Sequence, residues 1–249
     1  MSLYRDDGIV LRTQKLGEAD RIVTVLTRKT GRIRAVAKGV RRTKSRFGAR
    51  VEPFTHVDLL LYTGRSLDVV TQAETIRSYG DPLVGDYRRY TTGVAMLETA
   101  ERLTTIEKEP SLRQFLLLVG GLRTLVDDVH DARLVLDAFL LRSLAVAGYA
   151  PALEECAICG SRAGEPPAQT RRIFGVAAGG LVCRNCQAPG AATTTQATID
   201  LLNALLRGDW EVADASERRH QVEASGLVAA YLQWHLEHSL RSLRHVEHA

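Results

Sequence analysis

Hydrophobic and polar residues follow a period of two through roughly the first eighty positions and a period of 3.6 after them, which divides the chain into a β part and an α part. In the β part, Ile9, Leu11 and Thr13 alternate with Val10, Arg12 and Gln14, GEAD at 17–20 makes a turn, and β-branched residues carry a second strand from Ile22 to Thr27. Gly31 opens a third strand in which Ile33, Ala35 and Ala37 alternate with Arg32, Arg34 and Lys38. Further on, Val57, Leu59 and Leu61 share one face of a fourth strand. Beyond the turn Thr63-Gly64-Arg65-Ser66, Leu67, Val69, Thr71 and Ala73 share one face of a fifth. Five short antiparallel strands fit a small closed barrel, and the five-stranded OB-fold is the common barrel of that size that binds nucleic acid; an SH3-like barrel is the alternative.

Past Asp81-Pro82 the pattern becomes helical. Val94, Leu97, Ala100, Glu101 and Leu103 belong to one helix, Phe115 to Val126 to a second that Pro110-Ser111 starts, and Leu134 to Val146 to a third that Gly148 closes. Pro151 introduces a Cys-bearing insert, after which Thr198 to Leu206 and Glu217 to Val246 return to helix and complete a bundle. The fold expected is α+β: an OB-fold barrel over residues 1–79, a helical bundle built from 80–149 and 193–249, and a four-cysteine zinc module over 150–192 inserted between its two parts. Trp210 and Trp234 fall in helical stretches and are expected in the core. His235, His238 and His245 flank the leucine stripe of the last helix, where amphipathic side chains belong, and no carboxylate or Cys completes a metal site there.

Charge changes the picture at one place. The 249 residues carry 33 basic and 29 acidic side chains, a net charge of +4, yet no Asp or Glu occurs from Arg21 to Val51. Arg32, Arg34 and Lys38 put cations on one face of the third strand. Past Gly39, the loop GVRRTKSRFGAR adds Arg41, Arg42, Lys44, Arg46 and Arg50. Strand and loop together predict a continuous positive surface that lies on phosphates. Aromatic residues are few there, Phe47 and Phe54 being the best placed to stack on bases, so contact with the backbone should dominate and sequence preference should be slight. No apolar stretch suits a secretion signal or a membrane span, which points to a cytoplasmic protein, and DNA binding would make it nucleoid-associated.

The four cysteines form Cys156-Ala-Ile-Cys159 and Cys183-Arg-Asn-Cys186, with twenty-three residues between the pairs. Two residues between thiolates let one tight turn supply two tetrahedral ligands, so two such turns complete a structural S4 zinc site with no position left for catalysis. A redox C-x-x-C would need a βαβ context and would leave the second pair unexplained. The segment between the pairs is rich in Pro, Gly and Arg, and it is expected to lack a core and to be held by the metal.

Walker A, GxGxxG, GxSxG and HExxH motifs are absent, which leaves phosphate cradles and the common hydrolase elbows unsupported. A metal-dependent nuclease would need carboxylates near the basic face, and a sequence-specific transcription regulator would need a groove-reading element in place of a strand and loop. A DNA-binding protein without covalent chemistry ranks ahead of both.

GIVLRT, GEADRIVTVLT, GRIRAVAKGVRR and Pro53, then GYAPALEECAICG and the second Cys pair, resemble in order and spacing the RecO family of bacterial recombination mediators. The resemblance implies an N-terminal OB-fold, a helical bundle and a zinc module at Cys156, Cys159, Cys183 and Cys186. It also implies a non-enzymatic role in DNA repair and recombination by the RecF pathway. Such proteins bind single- and double-stranded DNA, anneal complementary strands and, with RecR, promote loading of RecA onto DNA coated with single-strand-binding protein. The acidic tail of that coating protein is expected to dock on the helical part, with Arg142 in FLLRSLAVAGY as the candidate contact.

Overall fold

A computed structural model describes residues 2–41, 47–162 and 167–236. Strands β1 (Leu3–Leu16), β2 (Asp20–Thr27), β3 (Gly31–Ala37), β4 (Thr55–Tyr62) and β5 (Asp68–Ser78) close into a barrel in the order β1-β2-β3-β5-β4. Neighbours are antiparallel except β3 and β5, which meet in parallel only at Ala35–Asp68 and Val36–Val69. This is the OB-fold arrangement. Val10, Val23, Val25, Ile33, Val57 and Leu59 fill the interior, and a 3₁₀ turn at Gly48–Val51 adds Phe47 and Val51 to the same core.

Two expectations about the strands change. In β5 the buried face holds Val70 and Ala73, with Val69 and Thr71 half-buried, because pairing with β4 slips where Leu60 faces Gln72 and Leu61 faces Val70. The extra residue, Thr71, reverses the alternation. Phe47 and Phe54 are buried, in the barrel core and the helical core respectively, so neither ring is available to a base. Phe54 adopts a positive φ of 70°, which turns the chain between the two cores.

Seven helices are described: α1 (Gly80–Leu83), α2 (Tyr87–Leu103), α3 (Leu112–Asp127), α4 (Ala132–Val146), α5 (Gln196–Arg207), α6 (Trp210–Asp214) and α7 (Arg218–His235). Side chains of Asp86, Asp131 and Thr195 accept first-turn N–H groups and so fix the starts of α2, α4 and α5. Met96, Phe115, Leu118, Leu122, Phe139, Leu202 and Tyr231 bury the apolar stripes in one core. Ile9, Leu11 and Leu26 join that core from the outside of the barrel, so β1 is buried on both faces and the outer face of β1 and β2 rests on the bundle.

Trp210 packs on the core with its ring stacked on His130 at 4.1 Å. Trp234, expected inside, is 60% exposed, since the buried stripe of α7 runs through Ala224, Leu227, Val228, Tyr231 and Leu232 and misses it. His235 lies against the rings of Tyr149 and Tyr231, while His238 and His245 lie outside the described residues.

The insert has more core than its composition suggests. Strands β6 (Arg171–Gly175), β7 (Gly180–Leu181) and β8 (Ala192–Thr195) form a sheet in the order β7-β6-β8. Phe174, Leu181 and Leu153 join the helical core, and the Phe174 ring meets Tyr231 edge-on at 5.9 Å. The module is thus seated on α7 by apolar contact.

Candidate nucleic-acid interface and metal centre

The basic run, uniform in sequence, divides in space. Its first half finds carboxylates that the sequence places far away. Arg21 pairs with Glu52, and Arg28 pairs with Asp7 at 3.0 Å and also lies 5.0 Å from the centre of the Phe115 ring. Arg32 is held hardest: its Nε donates to the Thr104 carbonyl at 2.6 Å, its Nη2 donates to the Thr105 carbonyl at 2.7 Å, and its side chain is only 12% exposed. Arg34 donates through Nε to Glu107 Oε1 at 2.5 Å. Both arginines therefore meet the connection between α2 and α3, which runs along β3 and bonds to it through Lys108 N–H and the Arg32 carbonyl at 2.9 Å. The approach is close. A Cβ on Gly31, whose φ is +85°, would fall 1.8 Å from the Glu109 carbonyl oxygen.

OB-folds commonly bind oligonucleotides on the face of strands 2 and 3 and on the adjoining loops. Here the helical core covers Leu26 of β2 and the α2–α3 connection covers the start of β3, so among the described residues the exposed cations of β3 and the loop after it are those at the loop end of the barrel. Lys38 is exposed there, with no hydrogen-bond or ion partner among the described residues. Arg41 is exposed beside the β1–β2 turn. Its guanidinium donates to the Glu18 carbonyl at 3.0 Å and its backbone N–H donates to the Ala19 carbonyl at 3.0 Å. No carboxylate pairs with Arg41 among the described residues. Arg50 is exposed next to a groove of about 580 Å³ lined also by Thr71, Gln72 and Glu74. Arg42, Lys44 and Arg46 lie outside the described residues.

Sequence reasoning missed Glu107, Lys108 and Asp68, which decide how the barrel is closed. The fully buried Asp68 accepts from the Tyr4 hydroxyl at 2.5 Å, from Gly64 N–H at 3.1 Å and from Lys108 Nζ at 2.9 Å. Burial opposes its charge, but the Tyr4, Lys108 and Gly64 donors outweigh that and hold the carboxyl below its usual pKa.

Arg142, the candidate contact for an acidic tail, caps a helix: its Nε donates to the carbonyls of Leu205 at 3.0 Å and Leu206 at 3.2 Å at the end of α5. It is half-buried without a carboxylate partner among the described residues, and desolvation lowers its pKa.

The four cysteine sulfurs converge, all within 4.8 Å of one another. The two turns are locked together: Ala157 N–H donates to the Leu181 carbonyl at 2.7 Å and Cys183 N–H points at Cys156 Sγ at 3.4 Å. The Cys159 and Cys183 sulfurs are 3.9 Å apart. A tetrahedral S4 centre with metal–sulfur bonds of about 2.3 Å requires sulfurs about 3.8 Å apart, so the donor set fits a metal ion. Backbone N–H groups of Cys159, Cys183 and Ile158 lower the Cys156 thiol to about 6, whereas the thiols of Cys183 and Cys159 push Cys186 up to about 12. Four thiolates so close repel one another, and a divalent cation is what offsets them.

Comparison with known proteins agrees along the whole chain. Residues 1–79 match the family profile described as Recombination protein O N terminal, and residues 84–244 the one described as Recombination protein O C terminal. The chain is 67% identical over 249 residues to a protein named DNA repair protein RecO from Thermobifida fusca, with all of both chains covered. It is 61% identical over 253 residues to one of the same name from Streptomyces griseus, covering 99% of this chain and 100% of the relative.

Proposed function

The chain belongs to the RecO family of DNA repair proteins, and from that membership we propose that it is a non-enzymatic mediator that holds single- and double-stranded DNA by its phosphates. It anneals complementary strands and, with RecR, assists RecA in loading onto DNA covered by single-strand-binding protein, whose acidic tail docks on the helical part. The observation that carries the DNA-binding step is the pair of exposed cations Lys38 and Arg41, free of carboxylate partners among the described residues, at the loop end of an OB-fold barrel. With the exposed Arg50 they put cations on a loop whose sequence adds Arg42, Lys44 and Arg46, while Phe47 and Phe54 are buried, which suits neutralising a backbone while leaving base edges free to pair. Arg32 is outside this set because it is spent on the Thr104 and Thr105 carbonyls.

The metal of the four-cysteine cluster is zinc in this proposal, because four thiolates in two C-x2-C turns form a closed tetrahedral set. Its role is to pin the insert. Cys156, Cys159, Cys183 and Cys186 would hold it, and no position is left open for a substrate. No helix among the described residues is long and apolar enough to cross a membrane. The test of the reading is a pair of assays on the full chain: salt-dependent binding of single strands, and pairing of labelled complementary strands in the absence of nucleotide. Pairing that required ATP hydrolysis, or binding insensitive to salt, would overturn it.

A further inference from the structure

Arg32 and Arg34 point to the same side of β3 and both touch the α2–α3 connection, but they are held in different ways. Arg32 gives Nε and Nη2 to two backbone carbonyls, lies with Nη1 3.6 Å from Glu107 Oε1, and is nearly buried. Among the described residues Arg34 is bound only to the carboxylate of Glu107, and the two side chains are 39% and 32% exposed. An ion pair open to solvent on both sides is weak and screened by salt. A carboxylate and a phosphate offer a guanidinium the same kind of paired anionic oxygens, so either can occupy Arg34.

The segment carrying Glu107 is lightly held. Ile106 is 61% exposed, Lys108 adopts a left-handed φ of 62°, and its fastenings are polar: Arg32, Arg34, and Lys108 to Asp68. Segments with few apolar contacts and a disfavoured backbone open at low cost.

We propose that Glu107 is an internal stand-in for a DNA phosphate: it occupies Arg34 in the free protein, bound DNA displaces it, and the displacement loosens residues 106–109 of the α2–α3 connection against the barrel. The inference rests on the barrel rim being the DNA-binding surface. Its consequence is a route from barrel to bundle, because residues 106–109 lead into α3 of the bundle core. Arg32 remains the fixed anchor.

Binding of an oligo-dT strand measured across a range of salt concentrations tests this with Glu107→Gln, Arg34→Ala, the double variant and Glu109→Gln. Glu107→Gln should bind about three- to tenfold more tightly, the range expected for one added hydrogen-bonded contact. The plot of log K against log salt should steepen by about 0.7 for the one extra phosphate. The gain should vanish when Arg34 is also Ala. Glu109→Gln removes the same charge from the same segment without touching Arg34, and should leave the slope unchanged. An equal gain from Glu109→Gln, or a gain that survives Arg34→Ala, would show a net-charge effect and overturn the proposal. Hydrogen exchange needs no variant: DNA should speed exchange of the Lys108 amide, which bonds to the Arg32 carbonyl, and slowed or unchanged exchange overturns the proposal. If Arg41→Ala leaves the salt slope of the wild type intact, the rim itself is wrong, a separate failure from that of Glu107.

Discussion

Lys108 Nζ sits 2.9 Å from Oδ1 of Asp68, so a residue from between two helices completes the coordination of a carboxylate sealed inside the barrel wall. Asp68 stands where β3 and β5 pair for only two residues, the weakest seam of the barrel. Asp68→Ala would leave the half-buried Tyr4 hydroxyl and Gly64 N–H without their acceptor, at up to about 1–3 kcal/mol for each. Lys108→Met removes a partner whose side chain is 43% exposed, and solvent offsets most of that loss. Urea unfolding should therefore rank Asp68→Ala well below Lys108→Met in stability; equal losses would mean that Lys108 carries the seam. Since the carboxyl pKa is lowered on folding, its contribution is present above the unfolded value, about 3.9, and is lost as pH falls through the lower folded value.

Asp137 gives the opposite sign. It is fully buried in α4 with Ser225 Oγ of α7 donating at 2.5 Å, and burial raises its pKa to about 7. Between about 4 and about 7 the folded protein holds a proton that the unfolded chain has released, so stability falls as pH rises through that window. A displacement of that size corresponds to roughly 4 kcal/mol as an upper bound. Asp137→Asn should flatten the profile and be the more stable protein at about pH 8 while losing the advantage at about pH 5. A deficit of equal size at both values would contradict the titration.

Arg142→Met should cost about 1–3 kcal/mol by leaving the Leu205 and Leu206 carbonyls at the end of α5 without their donor. If the guanidinium also receives an acidic tail from a partner, binding of an acidic, apolar-ended peptide should fall more than the loss of folded protein accounts for. Peptide affinity that tracks stability alone would leave Arg142 as a cap and nothing more.

Much of the architecture is legible from local pattern. Period two gives five strands, period 3.6 gives the helices that follow Asp81-Pro82, and paired C-x2-C spacing gathers four sulfurs within 4.8 Å. What escapes is pairing across the chain. The run from Arg21 to Val51 contains no acid, yet Glu52, Asp7 and Glu107 neutralise Arg21, Arg28 and Arg34 from other elements. Nothing within TTIEKEP at 104–110 announces that its Glu107 lies on a strand from far earlier in the chain. The buried phase of β5 escapes for a related reason, since one extra residue opposite Leu60–Leu61 is a property of the pairing and not of the strand. Phe174 did leave a signal, in the short β-like run RRIFG, which the Pro- and Gly-rich surroundings mask.

Arg41→Ala should weaken binding of all sequences alike and reduce the salt slope by about 0.7 on single strands and about 0.9 on duplex for one lost phosphate. The fold should be unaffected, because among the described residues its guanidinium reaches only turn carbonyls at the surface. A sequence-dependent loss would instead signal contact with base edges.

Metal removal separates the two cores. Structural zinc contributes on the order of 10 kcal/mol or more of apparent folding free energy, and Cys183→Ser would remove one of four ligands and return the remaining sulfurs to mutual repulsion. Had the insert been coreless, its unfolding would have stayed local. Phe174 and Leu181 are instead buried with Tyr231 and the α5 residues Leu201, Leu202 and Leu205, so release of the insert should expose part of the bundle core and speed amide exchange in α5 and α7. The barrel keeps a core of its own, with Val10, Val25, Ile33 and Leu59, and that core is separate from the one the insert joins. DNA affinity at Lys38 and Arg41 should therefore be largely kept. Elemental analysis should find one zinc per chain in the wild type and little in Cys183→Ser, and a strong chelator should lower the Tm of the wild type alone. A metal-free wild type with an unchanged Tm would refute the structural role, and loss of DNA binding along with the metal would mean that module and barrel act as one site.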